Sequence, residues 1–214
     1  MKNIYYIASI TFLLATTSCL RLDSNLYNNT QVDQYLLDDY EGRNEFDLDD
    51  SYKIEDSLIH LFTLNSKGED EDESAEIYAI YVGDIENIKT DTVVMYFHGT
   101  ADHMDFYWNR QKLLAHLGGK HNYGVLMIDY RGYGMSEGDP SEEGMYNDGK
   151  AALDWLEDNG LTDDRLIIYG FSLGTAAATE LTASPRSLKP NKLILEAPFA
   201  SADVMTADGS GLDL

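Results

Sequence analysis

Residues 165–183 read RLIIYGFSLGTAAATELTA, and the fold turns on them. Arg165 to Tyr169 is a short, mostly apolar run, which predicts a buried strand. Ser172 to Ala183 is rich in alanine and predicts a helix. Between them, Gly170-Phe171-Ser172-Leu173-Gly174 forms a G-x-S-x-G pattern at a strand-to-helix turn. Such a turn forces Ser172 into a strained backbone conformation and exposes its hydroxyl. Gly170 and Gly174 let strand and helix approach closely. The helix start aims backbone N–H groups and partial positive charge at developing negative charge, so Leu173 N–H is the expected first oxyanion donor. The competing reading is a glycine-flanked serine that only caps an ordinary helix.

Working outward, the chain alternates strand and helix. Thr92–Phe97, Gly124–Ile128 and Lys192–Leu195 read as strands; Asp105–Leu117 and Ser141 to about Asn159 read as helices. Glu142 and Glu143 follow Ser141 and suit the positive end of a helix dipole. Continuous apolar strands between helices predict a parallel sheet covered on both faces. Upstream, Ile54–Leu64 and Ile77–Val82 flank a charged turn, Ser66 to Ser74, and predict a hairpin. The fold class is therefore α/β, with a mostly parallel sheet fed by an N-terminal β-hairpin.

Two further motifs follow strands: His98-Gly99-Thr100, and Asp129-Tyr130-Arg131-Gly132-Tyr133-Gly134. With the G-x-S-x-G pattern, their order and spacing resemble the serine hydrolases of the alpha/beta-hydrolase superfamily, in the serine aminopeptidase-like and depalmitoylase-like branch. The resemblance spans about Ser51 to Ser201. It implies an eight-stranded sheet and a Ser-acid-His triad with Ser172 as nucleophile. It implies Thr100 N–H as the second oxyanion donor, from the loop after the third strand. His98 and Gly99 then support that loop, although His98 also reads as a candidate base. His103 reads either as a pocket border or as an exposed loop residue. Asp129 and Arg131 read as turn builders, and Glu196-Ala197-Pro198-Phe199 ends the sixth strand.

In that family order the acid follows the seventh strand and the histidine the eighth. Here the sequence stops soon after the sixth, so the expected domain lacks the last two strands. All five histidines (His60, His98, His103, His116 and His121) precede Ser172. Asp203 is a weak candidate acid after the sixth strand. A serine without a base is a poor nucleophile, so this length of chain is expected to be inactive or weak. Three readings stand: an ester, thioester or peptide hydrolase; a catalytically silent binding lipoprotein on the same scaffold; a non-functional fragment. Lys192–Leu195 is expected to be an exposed edge strand.

The first residues carry a different signal. Lys2, the mostly apolar run Ile4–Ala15, and small residues Thr16, Thr17 and Ser18 precede Cys19, the one cysteine. This reads as an export signal. It resembles a bacterial lipoprotein signal in which Cys19 becomes lipidated, although Thr16 stands where such signals usually carry Leu. The expected division is 1–18 signal peptide, 19–50 lipidated cysteine and acidic linker, and 51–214 hydrolase domain. The linker is read as a spacer with one short helix around Gln31–Leu37. The expected location is the bacterial cell envelope, lipid-anchored, with secretion or the periplasm as the alternative. No apolar run reaches the ~20 residues that a spanning helix takes. The net charge of -23 argues against nucleic-acid binding. No metal cluster or nucleotide loop is legible, so no metal and no cofactor is expected.

Overall fold

The computed structural model describes residues 26–68, 74–117 and 123–198. The segment expected to be a signal peptide, Cys19, His121 and Asp203 lie outside the described residues.

Six strands form one sheet: β1 Ile59–Ser66, β2 Ala75–Val82, β3 Thr92–Phe97, β4 Tyr123–Ile128, β5 Leu166–Phe171 and β6 Lys192–Glu196. Their spatial order is β1-β2-β4-β3-β5-β6. The hairpin β1–β2 is antiparallel, with Ile59 opposite Val82 and Ser66 opposite Ala75. β2 also runs antiparallel to β4, and the remaining pairs are parallel. This is the alpha/beta-hydrolase arrangement that the motifs imply. β1 begins at Ile59, later than expected, because Asp56–Leu58 forms a 3-10 turn. Ile54 is buried but lies outside the strand.

Among the described residues, three helices cover the sheet: α1 Met104–Ala115, α2 Glu142–Asp158 and α3 Gly174–Ala183. Met104, Trp108, Leu114 and Ala115 of α1 pack on one face, against Ile80, Val94, Tyr96, Val125 and Met127. Ala152, Leu153 and Leu156 of α2 join Ala177, Ala178 and Leu181 of α3 on the other, against Ala79, Met95, Phe97, Leu126 and Ile168. Alternation along each strand sends successive side chains to opposite layers. Burial on both faces explains why β3 and β4 read as continuous apolar runs. Ser141 caps α2 by accepting from Gly144 N at 3.1 Å. β6 is the sheet edge among the described residues, and Leu193, Ile194 and Leu195 on it are exposed.

The acidic linker corrects the sequence reading. Within the described residues it is a docked strap, not a spacer. Leu26 and Tyr27 are buried. Asn28–Asn29 pairs in parallel with Ala101–Asp102. The expected helix at Gln31–Leu37 is absent, and only a 3-10 turn at Leu37–Asp39 forms. Its backbone is committed elsewhere: Val32 N donates to Gly134 O at 3.0 Å, and Thr30 O accepts from Gly134 N at 2.8 Å. Two of its acids, Asp38 and Glu45, are paired with Lys112 and Arg110. Asp38 accepts from Lys112 Nζ at 2.6 Å and Trp108 Nε1 at 2.9 Å. The packed unit therefore reaches back to Leu26 rather than starting at Ser51.

Candidate active site

Ser172 stands between β5 and α3 with φ +48, a left-handed conformation rare for a side chain with a Cβ. Strain of this kind costs about 1–3 kcal/mol and persists only where the surroundings enforce it. Here they do. Ser172 N donates to Glu196 O at 3.0 Å, which ties the corner to the end of β6. Ser172 O accepts from Thr175 N at 2.9 Å and from Thr175 Oγ1 at 2.6 Å, which closes the first turn of α3. Leu173 occupies the cap position with helical φ −51, and no side chain caps α3. Ser172 is thus a corner residue rather than an ordinary helix cap.

The two glycines are fixed by crowding. A Cβ on Gly170 would lie 2.6 Å from Gly174 O and 2.7 Å from Ala178 Cβ. On Gly174 it would collide with the Phe97 carbonyl and lie 2.6 Å from His98 O. The start of α3 therefore presses on the end of β3, where the His98-Gly99-Thr100 loop begins. A Cβ on Gly99 would meet Tyr107 Oη at 2.8 Å and the Phe171 ring at 3.1 Å. These contacts bring the loops of Leu173 and Thr100 together.

Thr100 is held from two sides. Its hydroxyl donates to Leu26 O and accepts from Asn28 N at 3.1 Å. Its carbonyl accepts from Tyr133 Oη at 3.1 Å. His98 is fully buried, with Nδ1 2.8 Å from Gly99 O and Nε2 3.1 Å from Asp129 Oδ1. Its carbonyl accepts from Tyr130 Oη at 2.9 Å, and its ring lies 4.8 Å from that of Tyr107. Burial and these contacts tie the ring into its own loop and the turn after β4. His103 is buried too, against the reading of an exposed loop residue, with Tyr40 edge-on at 5.5 Å.

Asp129 and Arg131 tie distant elements together. Asp129 Oδ2 accepts from Tyr35 Oη at 2.7 Å and Met104 N at 3.2 Å. Arg131 forms a buried pair with Asp148 at 2.8 Å and donates to Ser66 Oγ at 2.9 Å. Burial pushes the Asp148 carboxyl above its usual range, opposed by the Arg131 guanidinium. Sequence reasoning missed Arg110 and Tyr169, which bond Glu196 beside the corner, and Glu45, which pairs with Arg110. Glu45 and Arg110 lie 65 residues apart, so no local pattern joins them.

The comparisons with known proteins bear on the family and the fold. The family described as serine aminopeptidase, S33, matches residues 88–209. The chain belongs to this hydrolase family. Lysophosphatidylserine lipase ABHD12 of Gallus gallus is 40% identical over 117 residues, covering 51% of this chain and 28% of that protein. Uncharacterized protein YfhR of Salmonella typhi is 39% identical over 82 residues, covering 38% of this chain and 27% of that protein. The chain thus spans under a third of the length of these curated relatives. Among solved structures, the Pyrococcus furiosus esterase Pf2001 is similar in fold, with TM-score 0.58 and 17% identity. That likeness covers 85% of this chain and 62% of the esterase. An alpha-beta hydrolase from Vibrio vulnificus has TM-score 0.52 and 24% identity, over 72% of this chain and 50% of its own.

Proposed function

We propose that this hydrolase cleaves a carboxylic ester, thioester or peptide bond through an acyl-enzyme on Ser172. The observation that carries the reading is the left-handed Ser172 between β5 and α3, with Gly174 pressed against the end of β3. Ser172 Oγ would attack the acyl carbon while a base takes its proton. The carbonyl oxygen would become an oxyanion, held by Leu173 N–H and Thr100 N–H. Each such donor contributes about 3–4 kcal/mol to the transition state. The base would then protonate the leaving group as the acyl bond breaks, and water would release the acyl group from Ser172. The base would come from a histidine C-terminal to the described residues, oriented by an acid in the same stretch, with Asp203 the weak candidate within this sequence. The four described histidines support placing it there. His60 bonds Gly83 O, His98 bonds Gly99 O, His116 bonds Lys112 O, and His103 lies buried 3.8 Å from Asp105. The name of the Gallus gallus relative favours an acyl ester of a lipid within this substrate class.

The same reading places the protein at the cell envelope through lipid on Cys19. Cys19 precedes Leu26 by seven residues, which span at most about 25 Å when extended. Leu26 O accepts from the Thr100 hydroxyl, so the anchor would hold the oxyanion loop close to the membrane. Incorporation of a labelled fatty acid that is lost in Cys19→Ser checks this arm, and unchanged incorporation contradicts it.

For the catalytic arm, a fluorophosphonate probe should label Ser172 in a version extended through a downstream histidine, and not in Ser172→Ala. Absence of labelling in the extended protein defeats the reading. The alternative, a catalytically silent binding lipoprotein, is favoured by the histidines' commitments elsewhere. It gains if the chain folds, stays monomeric and turns over no ester in either version.

A further inference from the structure

Beside the Ser172 corner lies a cluster that the acyl-transfer chemistry does not use. Arg110 projects from α1 into it. Its Nε donates to Glu45 Oε2 at 2.8 Å, and Nη2 donates to Glu45 Oε1. Nη1 donates to Glu196 Oε2 at 2.6 Å and to Tyr169 Oη at 3.0 Å, and Nη2 reaches Glu196 Oε1 at 3.5 Å. A guanidinium has five N–H donors, and these contacts occupy all of them. Its carbon lies 4.8 Å from the Phe171 ring centroid and 5.6 Å from that of Phe46. A fully committed guanidinium has nothing left with which to grip a substrate anion.

What the cluster touches is informative. Glu196 supplies the carbonyl that accepts Ser172 N at 3.0 Å, and Phe171 precedes Ser172 in the chain. The Phe171 ring also closes on Gly99 of the oxyanion loop. Both neighbours of the guanidinium are therefore neighbours of the proposed reacting groups. Arg110 and Glu45 are each largely buried, so their pair is weakly screened. Burial works against the Arg110 charge, but the Glu45 hydrogen bonds, together with the charge of Glu45 and the Tyr96 and Tyr169 phenols, outweigh it, and the guanidinium is held above its ordinary range. Burial and then the Glu196 hydrogen bond push the Tyr169 phenol up to about 12.

We propose that Arg110 is a positioning residue, locked by Glu45 of the N-terminal strap, that fixes Phe171 and Glu196 around Ser172. The strap would then be part of the catalytic framework rather than a tether. This inference rests on Ser172 as nucleophile.

The test compares Arg110→Met and Glu45→Gln with their parent, all in the version extended through a downstream histidine, with Arg186→Ala as control. Arg186 pairs with Glu143 and Glu180, away from this cluster. The fluorophosphonate reaction is resolved into probe affinity and maximal labelling rate, well below the melting temperature. Misplacing a nucleophile by about 1 Å costs on the order of a hundredfold, so the expected loss is about tenfold to hundredfold in maximal rate, with affinity unchanged. In a further variant, Arg110→Ala, added ethylguanidinium should restore part of the rate. Arg186→Ala should match the parent. An unchanged rate in both cluster variants overturns the proposal, as does a loss confined to affinity. Hydrogen exchange of the 171–173 and 98–100 amides is read in parallel. If the parent never labels, the serine-hydrolase reading fails, and exchange alone then decides the lock. Faster exchange in Glu45→Gln supports it, and unchanged exchange overturns it.

Discussion

A methyl group at Gly174 has nowhere to go, because the Phe97 carbonyl oxygen already fills its place. Overpacking costs about 1–3 kcal/mol where neighbours can shift, and here the neighbour is strand backbone. Gly174→Ala should therefore cost at least that much, read as a lower urea midpoint at unchanged slope; an unchanged midpoint contradicts the crowding. Tyr133 gives a pH-dependent case. Burial pushes its phenol up to about 12 from 10.0. Between those values the unfolded chain releases the proton while the folded one keeps it, so stability falls as pH rises through this window. A two-unit shift corresponds to about 2–3 kcal/mol. Tyr133→Phe should flatten that alkaline loss. At neutral pH it should cost about 0.5–1.5 kcal/mol for the lost hydrogen bond to Thr100 O. An equally steep loss in the variant contradicts the assignment.

At the scale of elements, the strap behaves as a structural member. Asp105 accepts from Leu36 N at 3.1 Å and Leu37 N at 2.8 Å, across about 70 residues of chain. Asp105→Ala would strand those amides, at about 1–3 kcal/mol for a buried orphan. Hydrogen exchange over residues 30–40 should accelerate, and exchange equal to the parent contradicts a docked strap. This is where the sequence misled. The strands and helices were legible because burial imposes a period on the residues that make them. The strap has no period, since its hold comes from single polar contacts to distant residues: Tyr35 to Asp129, Asp38 to Lys112, Glu45 to Arg110. Asp38 and Glu45 read as solvated because their partners, Lys112 and Arg110, lie far along the chain. The corner at Ser172 was legible for the opposite reason, as two glycines, a serine and an alanine-rich helix are adjacent in sequence.

For the whole molecule, the strand order β1-β2-β4-β3-β5-β6 puts β3 and β5 side by side. The loops that follow these two strands carry Thr100 and Leu173, so the topology itself assembles the candidate site. The net charge of -23 acts on the molecule as a whole. Self-repulsion destabilises a compact chain of one sign, and salt at about 0.15 M screens charges beyond about 8 Å. The melting temperature should rise from low to physiological ionic strength; a fall would mean that the ion pairs outweigh the repulsion. The central claim concerns the space between two backbone amides. A crystal structure of the Ser172 phosphonate adduct tests it most directly. The account predicts the phosphonyl oxygen within about 3 Å of both Leu173 N and Thr100 N. An adduct whose oxygen faces solvent, or lies beyond hydrogen-bonding reach of either amide, would contradict it.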